Sequence, residues 1–136
     1  MACAVNTIIA DDHPLFRSAL RQAAATSVPE QYIKETSDID GLFSLLKSHP
    51  EIELIFLDLT IPGANGLQAL SQLRNQYPDI LIIMVSANEP PTIIKQAMSL
   101  GAAGYIPKSS SLDVISEAIE HVLNGDSWLQ TDIDLT

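Results

Sequence analysis

The stretch "LIFLDLTIPGANG", residues 54–66, ends an apolar run with a single carboxylate, Asp58. A continuous apolar run is typical of a strand at the centre of a parallel sheet, where helices cover both faces. Pro62, Gly63 and Gly66 then turn the chain away from that strand. Because burial of a lone carboxylate costs several kcal/mol unless a partner compensates it, the position of Asp58 calls for a functional explanation.

Short strand-like segments alternate with helical periodicity along the chain. Strands are predicted where the segments are apolar or β-branched, over residues 4–10, 31–38, 52–58, 79–87 and 104–108. Helices are predicted where apolar residues recur at helical spacing, over residues 13–27, 41–49, 66–77, 92–102 and 111–125. These five strand–helix units predict an α/β domain in which helices cover both faces of a five-stranded parallel sheet, a three-layer (βα)5 sandwich.

The composition indicates one domain with an aliphatic core. The chain has 136 residues, of which 46% are apolar and 5% aromatic, and this is a common size for a single domain. Its net charge of −10, from 17 acidic and 7 basic residues, leaves few cations for the basic surface that nucleic-acid binding needs. We therefore expect that this chain itself binds no nucleic acid.

The cysteine and histidine content suggests neither a disulfide scaffold nor a metal motif. Cys3 is the only cysteine, so an internal disulfide is excluded, and His13, His49 and His121 are scattered without metal-ligand spacing. The chain has no signal-peptide pattern and no long apolar segment. We therefore expect a cytoplasmic location and no membrane contact.

Polar side chains follow the ends of four predicted strands. They are Asp11 and Asp12 after the first strand, Asp58 at the end of the third, Ser86 at the end of the fourth and Lys108 after the fifth. Parallel strands bring their carboxyl ends to one edge, and the common order 2-1-3-4-5 places the first and third strands side by side where the order reverses. The three carboxylates are therefore expected to share one pocket.

A bound Mg²⁺ would relieve the repulsion among these carboxylates, because it favours a small set of carboxylate, carbonyl and water oxygens. The ammonium of Lys108 and the hydroxyl of Ser86 are groups that phosphoryl oxygens would contact. Together these residues indicate metal-assisted phosphoryl transfer with a carboxylate as the acceptor.

Four segments carry a resemblance to a known family. The sequence resembles the receiver domain of two-component response regulators, which has a flavodoxin-like fold, in "DDHPLFR" (11–17), "LIFLDLTIPGANGL" (54–67), "IIMVSA" (82–87) and "AAGYIPKSS" (102–110). The segments stand in the family's order and at its intervals. The receiver region is expected to cover residues 1–124.

The resemblance implies that Asp58 accepts a phosphoryl group from the phosphohistidine of a sensor histidine kinase. It implies a Mg²⁺ site formed by Asp11 or Asp12 together with Asp58 and the backbone carbonyl of Thr60. Asp12 is the position of the family's metal-binding acid, and Asp11 is expected to be the more peripheral acid of the pocket.

The same resemblance assigns the remaining polar positions. Lys108 would pair with the phosphoryl oxygens, and Ser86, which stands where threonine is frequent, would donate a hydrogen bond to them. Tyr105 matches the aromatic switch that moves inward when the hydroxyl residue shifts toward the phosphate. The chain is thus expected to be a phosphoacceptor that supports its own phosphorylation and dephosphorylation.

"DDHPLFR" with "GAAGYIPKSSS" (101–111) is most similar to receivers of the NarL/LuxR type, which precede a helix-turn-helix DNA-binding domain. Such a domain would need roughly 60 further residues. Residues 125–136, including Trp128, are expected to begin the linker toward a DNA-binding domain absent from this chain. The alternative is a stand-alone receiver. We also expect the segments 88–96 and 111–121 to carry the output, by homodimer formation on phosphorylation.

Three other functions would also suit a strand that ends in aspartate. A haloacid dehalogenase-type phosphatase would need a second acid two residues after Asp58, where this chain has Thr60. A pseudo-receiver would not need the acidic pair, Ser86 and Lys108. A flavin-binding flavodoxin would need a phosphate loop after the first strand, and the acidic "DDHP" (11–14) disfavours an anion there.

Overall fold

The strands form one parallel sheet in the computed structural model, which describes residues 5–25, 28–63, 67–87 and 90–129. Gly66 and residues 130–136 of the expected linker lie outside these ranges. The strands are β1 (Thr7–Ala10), β2 (Ile33–Thr36), β3 (Leu54–Asp58), β4 (Leu81–Ser86), β5 (Gly104–Pro107) and β6 (Trp128–Leu129).

The strand order is β2-β1-β3-β4-β5-β6, and all five pairings are parallel. The predicted order 2-1-3-4-5 is therefore confirmed. The two-residue strand β6 extends the sheet beyond β5, with Trp128 opposite Gly104. The sequence did not predict β6, because two residues are too few to show the periodicity of a strand.

Helices cover both faces of the sheet, as predicted. They are α1 (Pro14–Ala24), α2 (Ile39–Ser48), α3 (Gln68–Gln76), α4 (Pro91–Ser99) and α5 (Leu112–Leu123). α1 and α5 share one hydrophobic cluster with one face of the sheet, and α2, α3 and α4 share another with the opposite face. The result is a three-layer sandwich.

β3 lies in the middle of this sandwich and contributes to both clusters. Ile55 and Leu57 point to the layer of α2, α3 and α4, whereas Leu54 and Phe56 point to the layer of α1 and α5. Their exposed fractions do not exceed 1%. Full burial of such a side chain stabilises the fold by about 1.5–3 kcal/mol, so β3 holds its last residue on a rigid support.

Local capping explains where several elements begin and end. Asp38 caps α2 by accepting a hydrogen bond from the backbone N–H of Gly41 at 2.6 Å, while Asp40 lies in the first turn. Pro14 occupies the first turn of α1. Gly63 has a φ of +90° in the loop after β3, a conformation that glycine adopts without strain. In the described part of the chain, every helix is too short or too polar to cross a bilayer.

Candidate functional site

Two buried carboxylates lie side by side at the carboxyl end of the sheet. Ala10 is opposite Leu57 in the register of β1 and β3, so Asp11 and Asp58, the next residues, are neighbours at the edge. Asp11 is fixed by its backbone N–H, which donates to the carbonyl of Thr36 at 3.0 Å. Both carboxylates are fully buried. The sequence prediction that they share a pocket is confirmed by this geometry.

Lys108 supplies a positive charge to both carboxylates. Its Nζ donates to Asp58 Oδ2 at 2.9 Å and lies 3.1 Å from Asp11 Oδ2. The ammonium is positioned from the backbone, because the N–H of Lys108 donates to the carbonyl of Ser86 at 2.8 Å. This hydrogen bond to the end of β4 therefore fixes the backbone position from which the Lys108 side chain reaches the two carboxylates.

Thr60 holds the other oxygen of the Asp58 carboxylate. Its backbone N–H and its Oγ1 donate to Asp58 Oδ1 at 3.0 and 2.9 Å. Asp58 is thus oriented by a threonine on one oxygen and a lysine on the other. Thr60 occupies the position where a dehalogenase-type phosphatase would carry its second acid, and here it serves as a hydrogen-bond donor.

Ser86 and Tyr105 are both buried beside this edge. Ser86 is the last residue of β4, one position beyond Val85, which is opposite Asp58 in the sheet register. Tyr105 lies in β5, has an exposed fraction of 2%, and belongs to the hydrophobic cluster that contains Ile94 of α4. The tyrosine side chain therefore lies inward, in the cluster on the side of α2, α3 and α4.

Asp12 and His13 form the open side of the pocket. The Asp12 side chain is 36% exposed, whereas that of Asp11 is fully buried. The expectation that Asp11 is the more peripheral acid is therefore wrong, because Asp11 directly continues β1 beside Asp58. The Nδ1 of His13 lies 3.1 Å from both Asp11 Oδ1 and Asp12 Oδ1 and 2.6 Å from Lys108 Nζ. The scattered spacing of the three histidines along the chain did not indicate that His13 belongs to a site. Its position directly after the acidic pair at a strand end was the signal that could have identified it.

The donor set of the pocket fits a divalent cation. Asp11, Asp12, His13 and Asp58 each offer one ligand atom, and these atoms lie within 4.8 Å of one another. Three carboxylates face one lysine, so negative charge is in excess. Asp11 Oδ2 is buried and accepts no hydrogen bond from any described residue. Oxygen-rich, negatively charged sites of this kind bind Mg²⁺, so the acidic pocket could hold that ion.

Comparison with known proteins identifies relatives of the whole domain. The family described as response regulator receiver domain matches residues 7–120. The chain is 43% identical over 126 residues to a glycerol metabolism activator of Pseudomonas putida, a match that covers 93% of this chain and 57% of that protein. The chain thus spans little more than half the length of this relative.

Solved structures agree with the fold. The signal receiver domain of the putative response regulator NarL from Mycobacterium tuberculosis superimposes with a TM-score of 0.75 at 30% identity, covering 89% of this chain and 97% of that one. The isolated receiver domain of RcsB from Salmonella enterica serovar Typhimurium, solved with a phosphomimetic, gives a TM-score of 0.82 at 22% identity over 93% of this chain and 94% of that one. The chain belongs to the response regulator receiver domain family of two-component systems, with relatives of the NarL/LuxR type.

Proposed function

We propose that Asp58 accepts a phosphoryl group from the phosphohistidine of a sensor histidine kinase. The observation that carries the proposal is the buried Asp58 carboxylate, held by Thr60 on one oxygen and by Lys108 on the other. A carboxylate oxygen forms the bond to phosphorus while the phosphorus–nitrogen bond breaks. The imidazole of the kinase leaves and takes up a proton, and the product is an acyl phosphate on Asp58.

Phosphorylation adds negative charge where the pocket already has an excess. Lys108 offsets part of it, because an ammonium that donates to Asp58 Oδ2 at 2.9 Å can also donate to a phosphoryl oxygen on that carboxylate. The hydroxyl of Ser86 is the second donor in this proposal. Thr60 keeps Asp58 oriented for attack. Asp58 is therefore the substrate of its own site, and the chain is a phosphoacceptor rather than an enzyme that acts on external substrates.

Mg²⁺ is the proposed cofactor, held by Asp12 and Asp58 directly, by the carbonyl of Thr60, and by Asp11 at the buried side of the pocket. When bound, the ion neutralises charge that develops on the transferring phosphoryl group. The full burial of the Asp11 carboxylate and the excess of carboxylates over the Lys108 ammonium support this assignment. Thr60 and Lys108 hold the Asp58 carboxylate in its orientation.

The phosphorylated site is proposed to control output through β5. Movement of Ser86 toward the phosphoryl group would repack Tyr105, which is already buried in this structure and belongs to the cluster that contains Ile94 of α4. The exposed sides of α4 and α5 then present the surface for homodimer formation. Residues 1–124 form the receiver in this proposal, and residues 125–136 lead to a helix-turn-helix domain that controls transcription in the cytoplasm.

Mass spectrometry after incubation with acetyl phosphate and Mg²⁺ tests the phosphoacceptor assignment. The native chain is expected to gain the mass of one phosphoryl group, and Asp58→Asn is expected to gain none. Asp79→Asn, at an exposed acid after α3, is the matched control and should be phosphorylated like the native chain. No mass gain in the native chain, or an undiminished gain in Asp58→Asn, would refute the proposal.

Sedimentation velocity tests the coupling to α4 and α5. Beryllofluoride with Mg²⁺ mimics the phosphoryl group on Asp58, and we expect it to increase the sedimentation coefficient of the native chain by self-association. Asp58→Asn should not respond. An unchanged coefficient in a chain that is phosphorylated normally would rule out output by dimer formation.

A further inference from the structure

His13 lies in the pocket and has no role in the proposed phosphoryl transfer. Its Nδ1 is 3.1 Å from one oxygen of Asp11 and one of Asp12, and 3.5 Å from Asp58 Oδ2. The imidazole comes from the loop between β1 and α1, and its side chain is 58% exposed. The ring therefore lies at the solvent side of the pocket, with one nitrogen facing all three acids.

The contacts of that nitrogen make opposite demands on it. An ammonium can only donate hydrogen bonds, and Lys108 Nζ lies 2.6 Å from His13 Nδ1, whereas the carboxylates of Asp11 and Asp12 at 3.1 Å can only accept them. A cation bound by Nδ1 and by the carboxylates would satisfy all of these groups, and a metal-ligating imidazole presents such a nitrogen as a lone pair.

The contacts of Lys108 show which atoms of the pocket already lie around a positive charge. Its ammonium contacts Asp58 Oδ2, Asp11 Oδ2 and His13 Nδ1 at 2.9, 3.1 and 2.6 Å. Asp11 Oδ2 is buried, and the ammonium at 3.1 Å is an ion-pair contact without a well-directed hydrogen bond. Two oxygens and one nitrogen thus already surround a cation.

The separations among the donor atoms suit a shared metal shell. The distances of His13 Nδ1 from the oxygens of the three acids are 3.1, 3.1 and 3.5 Å. Adjacent ligands of an octahedral ion with bonds of about 2.1 Å lie roughly 3 Å apart. A nitrogen at that spacing changes which metal the site prefers, because imidazole suits Ni²⁺, Cu²⁺ and Zn²⁺ whereas Mg²⁺ favours oxygen ligands.

We infer that His13 Nδ1 is an inner ligand of the pocket's divalent cation, and that it shifts the preference of the site from Mg²⁺ toward transition metals such as Ni²⁺. This inference rests on the proposed metal site and adds a nitrogen to its oxygen ligands. Lys108 gives up its contact with His13 when the metal binds, since both use the same lone pair.

Pulsed electron paramagnetic resonance of bound Mn²⁺ tests the ligand directly. In the unphosphorylated native chain, the electron spin echo is expected to be modulated by the ¹⁴N of a directly bound imidazole, and ¹⁵N-histidine labelling should change that modulation. His13→Asn is expected to remove it. His121→Asn changes a histidine on α5 outside the pocket and should retain it. Absence of nitrogen modulation in the native chain, or its persistence in His13→Asn, would overturn the inference.

Calorimetric titrations with Ni²⁺ and with Mg²⁺ test the preference. The ratio of the Ni²⁺ to the Mg²⁺ association constant is expected to fall by at least about 10-fold in His13→Asn, since even loss of an outer-shell partner of a ligand costs 10- to 100-fold. The ratio in His121→Asn should equal the native one. An unchanged ratio in His13→Asn would contradict the inference.

These measurements need no phosphodonor, so they separate the two proposals. Phosphorylation of the native chain with Mg²⁺, combined with absence of ¹⁴N modulation, would overturn the role of His13 and leave Asp58 as the acceptor. Nitrogen modulation that is lost in His13→Asn would support the ligand role even in a chain that is not phosphorylated.

Discussion

The body of β3 and the carboxyl end of the same strand are equally buried, but only the carboxyl end carries an ionisable group. Ile55, Phe56 and Leu57 are neutral and packed between the two helical layers. Asp58, the next residue, is equally buried but ionisable, and it lies with Asp11 beside a single lysine. The body of the strand stabilises the fold, whereas its end concentrates charges that oppose burial.

This difference shows where the stability and the chemistry of the domain originate. Aliphatic side chains on both faces of β3 remove apolar area from water. The pocket instead keeps three carboxylates near one ammonium, an arrangement that costs stability until a cation binds. Substitutions in the body of β3 should therefore lower the free energy of unfolding. Substitutions in the pocket should instead change phosphorylation, with little loss of stability.

Phe56→Ala is expected to give the largest loss of stability. The side chain is fully buried, and truncation of such an aromatic residue costs about 3–5 kcal/mol of the free energy of unfolding. Urea denaturation followed by circular dichroism measures this loss. Leu112→Ala, at a residue that is 39% exposed, should change the free energy by less than about 0.5 kcal/mol. Equal losses in the two variants would contradict the contrast.

Lys108→Ala is expected to affect phosphorylation far more than folding. Removal of a donor to the developing charge slows such reactions roughly 100- to 1,000-fold, and the rate of acetyl phosphate-dependent labelling measures the effect. Lys47→Ala, at an exposed lysine at the end of α2, should react at the native rate. A rate for Lys108→Ala within a few-fold of the native rate would remove Lys108 from the mechanism.

Asp11→Asn is expected to have the smallest effect, and it should be stabilising. In metal-free buffer the substitution removes a buried charge that repels Asp58 and Asp12, while Asn keeps an oxygen that accepts from the backbone N–H of His13. Loss of the Lys108 ion pair offsets part of the gain, so we expect the free energy of unfolding to rise by about 1 kcal/mol. The same variant should bind Mg²⁺ more weakly.

Asp38, at the N-cap of α2, provides the matched control for Asp11→Asn. Asp38→Asn exchanges the same groups at the N-cap of α2, where asparagine caps as well as aspartate, so its stability should not change. A clear loss of stability in Asp11→Asn would mean that the pairing of Asp11 with Lys108 outweighs the repulsion, which would contradict the cost assigned to the pocket.

The sequence predicted the sheet order and the convergence of Asp11, Asp58, Ser86 and Lys108, because strand ends follow from apolar periodicity and parallel strands share one edge. It did not predict β6, where Trp128 aligns with Gly104. Its formation depends on tertiary contact with the β5 edge, so periodicity within the tail carries no signal for it.

The location of His13 in the pocket could not be predicted from the sequence, for a different reason. Metal motifs that can be recognised in a sequence have several ligands at regular spacing, whereas the pocket combines one histidine with acids that follow two different strands. Its distances to Asp58 and Lys108 of 3.5 and 2.6 Å depend on the path of the loop after β1. Three-dimensional positions, rather than spacing along the chain, were needed to identify it.

Among the three clustered carboxylates, Asp58 is the one proposed to carry the phosphoryl group. Borohydride reduces an acyl phosphate to an alcohol and so converts a phosphorylated aspartate to homoserine, which peptide mass spectrometry locates. After phosphorylation of the native chain with Mg²⁺, the account predicts homoserine at position 58 and intact aspartates at positions 11 and 12. Homoserine at position 11 or 12, or at no position in a chain that has gained a phosphoryl group, would contradict it.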